Sequence, residues 1–111
     1  MKMATGRVDI VLAAARRVAR KAEAAAERAT ESGPRGIAWL TLSRSREALA
    51  QARFAFEHSR AVLCARPDER QAIEAVRAEL ARAAARVNAA MEAAYAARAV
   101  DAQGVDTREA V

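Results

Sequence analysis

Two residue types that often carry chemistry occur once each in this chain of 111 residues, as His58 and Cys64. On one helix, a six-residue separation places them roughly 120° apart around the axis, so they do not share a ligand sphere. The sequence contains no Glu-x-x-His pair of the di-iron type and no glycine-rich phosphate loop. It therefore predicts a protein that is not an enzyme and holds no metal or cofactor.

Bulky and aromatic side chains mark candidate contact points with a partner. The candidate partner-binding residues are Trp39, Phe54, His58, Met91 and Tyr95. Phe54 is either held between two helices or exposed as an anchor, and Trp39 either covers a bundle end or serves as an interface anchor. His58 is either solvated or part of the same interface.

Basic residues recur at seven-residue spacing in two segments. This basic ridge consists of Arg46, Arg53 and Arg60 in one segment and Arg7, Lys21 and Arg28 in the other, where Ala14 occupies the gap between Arg7 and Lys21. One interpretation is a solvated rim whose long stems cover apolar seams. The other is a ridge that follows phosphates or an acidic protein surface.

These residues must be positioned by helices, since apolar residues recur at three- and four-residue spacing. We predict helices at about 5–32, 35–65 and 67–100. The first carries Val8, Val11 and Ala15 on one face, and the third carries Ile73, Val76 and Leu80. Residues 36–43 also fit a short strand, because β-branched and aromatic residues alternate there.

The second segment has the clearest packing pattern. Leu42, Leu49, Phe56 and Leu63 repeat every seven residues with small residues between them, as in close helix packing. Cys64 lies at the edge of this seam and is expected to be a small, buried or half-buried residue.

Short links between three long helices predict an all-α fold, an antiparallel three-helix bundle of Ala-rich helices. Residues 1–100 would form this single domain, and 101–111 a flexible C-terminal tail. Alanine supplies 33 residues, so large groups for a core are few and we expect self-association. The alternative is an elongated two-helix hairpin that dimerises into a larger bundle.

The net charge of +5 permits an acidic protein, nucleic acid or an anionic membrane surface as partner. A membrane is the least expected of these, because the apolar face of the first segment is mainly alanine and no run reaches the length of a span. One cysteine suits the cytoplasm. Arginine outnumbers lysine 17 to 2, which the codon usage of a GC-rich bacterium or phage is sufficient to explain.

Three functional hypotheses follow. The first is a small non-enzymatic helical protein acting by protein–protein interaction, as an adaptor, regulator or inhibitor in a bacterial or phage-encoded system, and forming a homodimer. The second is a helical protein that contacts nucleic-acid phosphates non-specifically through the basic ridge. The third is a helix bound to a lipid surface.

Overall fold

The structure is a computed structural model that describes the backbone of residues 2–32 and 38–110 and the side chains of residues 7–31 and 39–97. Its elements are α1 (Lys2–Ser32), α2 (Ala38–Glu57), α3 (Arg60–Leu63), a 3-10 turn (Pro67–Glu69) and α4 (Arg70–Ala110). Within the described backbone there is no strand, so the helical prediction is confirmed and the strand alternative is wrong for residues 38–43. Gly36 and Ile37 lie outside the described residues.

The helix bounds differ from the predicted ones at four places, one of which is the start of α4 at Arg70, after the 3-10 turn, instead of residue 67. Helix α1 begins at Lys2 and ends at Ser32, where the sequence placed its end. Helix α2 ends at Glu57, well short of the predicted 65. Helix α4 continues past residue 100 to Ala110, so the backbone of the predicted tail is helical; its mobility stays a prediction.

The early end of α2 results from a break at His58 and Ser59. The Ser59 backbone is extended, with φ −66° and ψ 132°, and its N–H donates to the Phe56 carbonyl at 3.2 Å. A single turn follows, in which the Leu63 N–H donates to the Ser59 carbonyl at 2.9 Å. The predicted continuous helix through residue 65 is therefore wrong.

Proline shapes the second link. Pro67 disfavours helical backbone at the residue before it, and Arg66 is extended with ψ 159°. Glu69 then caps the turn, because its carboxylate Oε1 accepts from the Arg66 N–H at 3.0 Å while its own N–H donates to the Arg66 carbonyl at 2.9 Å. These two hydrogen bonds between Arg66 and Glu69 hold the start of the 3-10 turn.

One hydrophobic cluster joins the three long helices. Helix α2 buries Leu42, Leu49 and Phe56, three of the four residues of its predicted seam. The other buried side chains are Val8, Leu12, Ala15, Ala19, Ala22, Ala25 and Ala26 on α1, and Ile73, Val76, Leu80, Ala83, Val87, Met91 and Ala94 on α4. Five of the seven buried side chains of α1 are alanines.

Charged contacts link α4 to both neighbours. The Arg77 guanidinium pairs with the Glu57 carboxylate through Nε at 2.7 Å and Nη2 at 3.2 Å, and also contacts Glu74. Hydrogen bonds to Glu57 and then to Glu74 raise the pKa of Arg77. The same guanidinium lies 6.0 Å from the centre of the Phe56 ring. Arg77 therefore covers the end of the α2 seam.

The charged contact between α4 and α1 lies on the other side of α4 from Arg77, where Arg16 of α1 is 3.4 Å from Glu79.

The molecule is elongated, with principal dimensions of 73 × 18 × 17 Å. Two of the clefts on its surface lie near opposite ends, and their linings contain six of the eleven predicted contact residues.

Candidate interaction surfaces

The first cleft lies between α2 and α4 and is called the aromatic groove. It has a volume of about 620 Å³. Its lining residues are Trp39, Arg46, Asn88, Met91, Glu92 and Tyr95. Three of the five predicted partner-binding residues are thus brought together here, from segments of the chain about fifty residues apart.

These three residues differ in exposure. Tyr95 is 68% exposed, Trp39 is half-buried against the core, and Met91 is only 7% exposed and belongs to the core cluster. The groove therefore has an apolar floor and one exposed phenol, with Arg46 and Glu92 of opposite charge at its edge. Such a cleft suits a partner's apolar side chain surrounded by polar contacts.

Phe54 and His58 form a separate pair at the end of α2. Their rings stack with centres 4.1 Å apart and planes 22° apart, and His58 Nδ1 lies 2.9 Å from the Phe54 carbonyl oxygen. Phe54 is 66% exposed, so it is not held between two helices; its role as an anchor for a partner stays a prediction. Trp39 lies fifteen residues earlier, roughly 22 Å along the helix, so the five residues do not form one surface.

The second cleft, the basic groove, lies where the first turns of α1 face α3 and the 3-10 turn. It has a volume of about 710 Å³. Its lining residues are Arg7, Val8, Ile10, Val11, Ser59, Arg60, Ala61, Cys64, Arg66 and Glu69. It unites Arg7 and Arg60 of the predicted ridge, which come from different helices.

The sequence did not identify this groove because the helix break creates it. Cys64 is exposed and Leu63 is 69% exposed, so both expectations of a continuing buried seam were wrong. Beyond Ser59 the seven-residue pattern no longer maps onto the same face. The signal available was Ser59, a residue type favoured at the start of a helix.

The remaining ridge residues lie elsewhere. Lys21 and Arg28 line a cleft between α1 and α2 together with Arg44, which the sequence did not single out. Arg46 belongs to the aromatic groove, and Arg53 is exposed on α2. The six residues of the basic ridge therefore occupy several surfaces.

Among the described residues, no group of three or more His, Cys, Asp or Glu side chains is arranged to hold a metal ion. No described helix combines the length and the apolar character that crossing a membrane requires.

No protein-family model, curated protein or solved structure matches this chain.

Proposed function

We propose that this chain is a small non-enzymatic helical protein that acts by protein–protein interaction, as an adaptor, regulator or inhibitor in the cytoplasm of a bacterium or within a phage-encoded system. Its three long helices would form an antiparallel bundle that self-associates. The Glu57–Arg77 pair, and the cleft that Trp39 and Tyr95 line together, support an antiparallel arrangement of α2 and α4, because residue numbers fall along α2 where they rise along α4.

The aromatic groove carries this proposal. Tyr95 contributes a large exposed surface with few rotatable bonds, beside a floor made by Trp39 and Met91. Tyrosine and tryptophan are enriched among residues that dominate binding energy, because they exclude water over a large area and also offer a polar group. A partner segment would insert one apolar side chain and pair with Arg46 or Glu92 at the edge.

We propose no catalytic role for this chain. The chain has one His and one Cys, and the described contacts of His58 are both with Phe54. A general base needs a nucleophile or substrate proton within hydrogen-bond reach and a group that orients it.

The test is affinity capture from a GC-rich bacterial host with tagged wild-type protein and the Tyr95→Ala variant. Tyr95→Ala should reduce recovery of the specific partner by about tenfold or more, since exposed aromatic anchors often carry over 1 kcal/mol. Leu40→Ala is the matched control, because Leu40 is also exposed on α2 but lies outside the aromatic groove. Circular dichroism verifies that both variants fold.

Two results would count against this function. One is equal recovery of the same proteins by wild type and Tyr95→Ala. The other is an equal loss with Leu40→Ala, which would indicate a general apolar surface.

A second candidate function is non-specific binding of nucleic-acid phosphates. Its support is the cleft between α1 and α2, where Lys21, Arg28 and Arg44 all line one surface. Affinity for DNA or RNA should then fall as salt rises from ~50 to ~200 mM. The fall reaches orders of magnitude if many phosphates are contacted. Replacing the three residues by Gln should abolish binding, and no mobility shift at low salt by the wild type excludes this function.

A further inference from the structure

The basic groove has the chemistry of a docking site for an acidic segment. Its lining includes Arg7, Arg60 and Arg66; the Arg66 Nε already lies 3.7 Å from Asp68 and from Glu69, so Arg7 and Arg60 supply the positive charge offered to a ligand. The apolar part of the lining comes from Val8, Val11 and the exposed Ile10, among others. A suitable ligand therefore carries carboxylates and at least one apolar side chain.

Glu69 adds a third requirement. Its side chain is nine-tenths buried, with 10% exposure. Its Oε1 accepts from the Arg66 N–H, whereas its buried Oε2 has no hydrogen-bond partner. Since buried carboxylate oxygens are normally paired, the ligand should also supply a hydrogen-bond donor.

Residues 101–110 of this chain meet all three requirements by sequence. They contain the acidic residues Asp101, Asp106 and Glu109, which make this segment net acidic in an otherwise basic protein. Val105 is apolar, and Arg108 is one of the donors available to a carboxylate. The segment and the groove are thus complementary in charge.

The segment does not reach the groove of its own chain. Helix α4 is continuous from Arg70 to Ala110, so Glu69 and Asp101 are separated by thirty-two residues, roughly 48 Å of helix. Tyr95 already lies beside Trp39 in the first turn of α2, so residues 101–110 extend beyond the start of α2. The groove and the segment lie at opposite ends of the molecule.

We therefore propose that the basic groove binds residues 101–110 of a second copy of this chain. Two copies related by a twofold axis and running in opposite directions bring each C-terminal segment to the groove of its partner. This gives the expected homodimer a specific contact. It does not depend on the aromatic groove, which remains free for another protein.

The first test is a cysteine cross-link in the full-length protein. Cys64 is the only native cysteine, is exposed and lines the groove. The Thr107→Cys variant, mildly oxidised, should yield a covalent dimer whose linked peptides join Cys64 of one copy to position 107 of the other. Ala24→Cys, an exposed position on α1, is the control and should form no link to Cys64. Absence of a link between positions 64 and 107 overturns the proposal.

The second test exchanges the charges. Light scattering at ~50 mM salt, where exposed charges are little screened, should show a dimer for the wild type. Arg7→Glu with Arg60→Glu, or Asp101→Arg with Asp106→Arg, should each weaken the dimer by about tenfold or more. Combining all four substitutions should restore it.

The control pair is Arg17→Glu with Arg20→Glu, which changes the same net charge on exposed residues outside the groove. A wild-type monomer, an equal weakening by this control, or failure of the fourfold variant to recover each overturns the proposal. A wild-type monomer would also overturn the self-association in the proposed function. None of these results affects capture of another protein through Tyr95, so the partner-binding proposal and the dimer contact fail separately.

Discussion

Phe56 and Leu63 are seven residues apart in one apolar pattern, but only Phe56 is buried. Phe56 is 2% exposed beneath the Arg77 guanidinium, whereas Leu63 is 69% exposed. Between them lies the extended backbone of Ser59. Before this point the seam of α2 is buried, whereas in the turn after it Leu63 and Cys64 are exposed and only Ala61, Val62 and Ala65 keep partial contact with the core.

The difference shows that a two-residue interruption is enough to convert a packing stripe into a surface. After the break, Arg60, Ala61 and Cys64 line a cleft, and the half-buried Ala61 also packs against the core cluster. Substitutions in the buried seam and in the segment that follows it should therefore differ in their effect on stability.

The largest effect is expected from truncating the buried aromatic ring. Phe56→Ala should lower the free energy of unfolding by about 3–5 kcal/mol, because it removes buried apolar area and leaves a cavity. Chemical denaturation followed by circular dichroism measures it. A loss below about 1 kcal/mol would place Phe56 outside the tightly packed core.

Enlarging a buried alanine should have the next largest effect. Ala83 is fully buried on α4, so Ala83→Leu should destabilise by about 1–3 kcal/mol through overpacking. Ala61→Leu is the counterpart after the break, where the groove offers space, and should change stability by less than about 0.5 kcal/mol. Equal losses of unfolding free energy in Ala83→Leu and Ala61→Leu would contradict the difference between the core and the groove lining.

Removing the charged contact above the seam should matter less. Arg77→Gln loses the pair with Glu57 and the contact over Phe56, yet both charged groups are about 40% exposed. Exposed ion pairs contribute up to about 1 kcal/mol, so the loss should be of that size and should shrink at high salt. Arg82→Gln, exposed on the same helix, is the control and should leave the midpoint unchanged.

The smallest effect is expected at Leu63 itself. Leu63→Ser should shift the free energy of unfolding by no more than about 0.5 kcal/mol, because the side chain is already in water. The same denaturation assay decides it. A loss comparable to that of Phe56→Ala would show that the seam continues through α3.

Periodicity was sufficient to predict the helices and the seam faces, because three- and four-residue spacing of apolar groups reports directly on burial. Leu42, Leu49 and Phe56 were assigned to the core for this reason and are buried. Pro67 also marked the second link reliably, since its ring restricts the residue before it.

The break at Ser59 could not be predicted in this way, because neither Gly nor Pro occurs near it. As a result, Leu63 and Cys64 were assigned to the wrong environment and the basic groove was not foreseen. The aromatic groove depends on how α2 registers against α4, which is a tertiary property. Trp39, Met91 and Tyr95 were recognised individually, but their convergence follows only from the packing.

Trp39 is the single tryptophan of the chain, and it is half-buried in the lining of the aromatic groove. Its indole emission therefore originates from one known place. A partner that fills the cleft removes water from the ring and should move that emission to shorter wavelength. The unmodified protein thus carries an optical probe for one of its two surfaces, with no label needed.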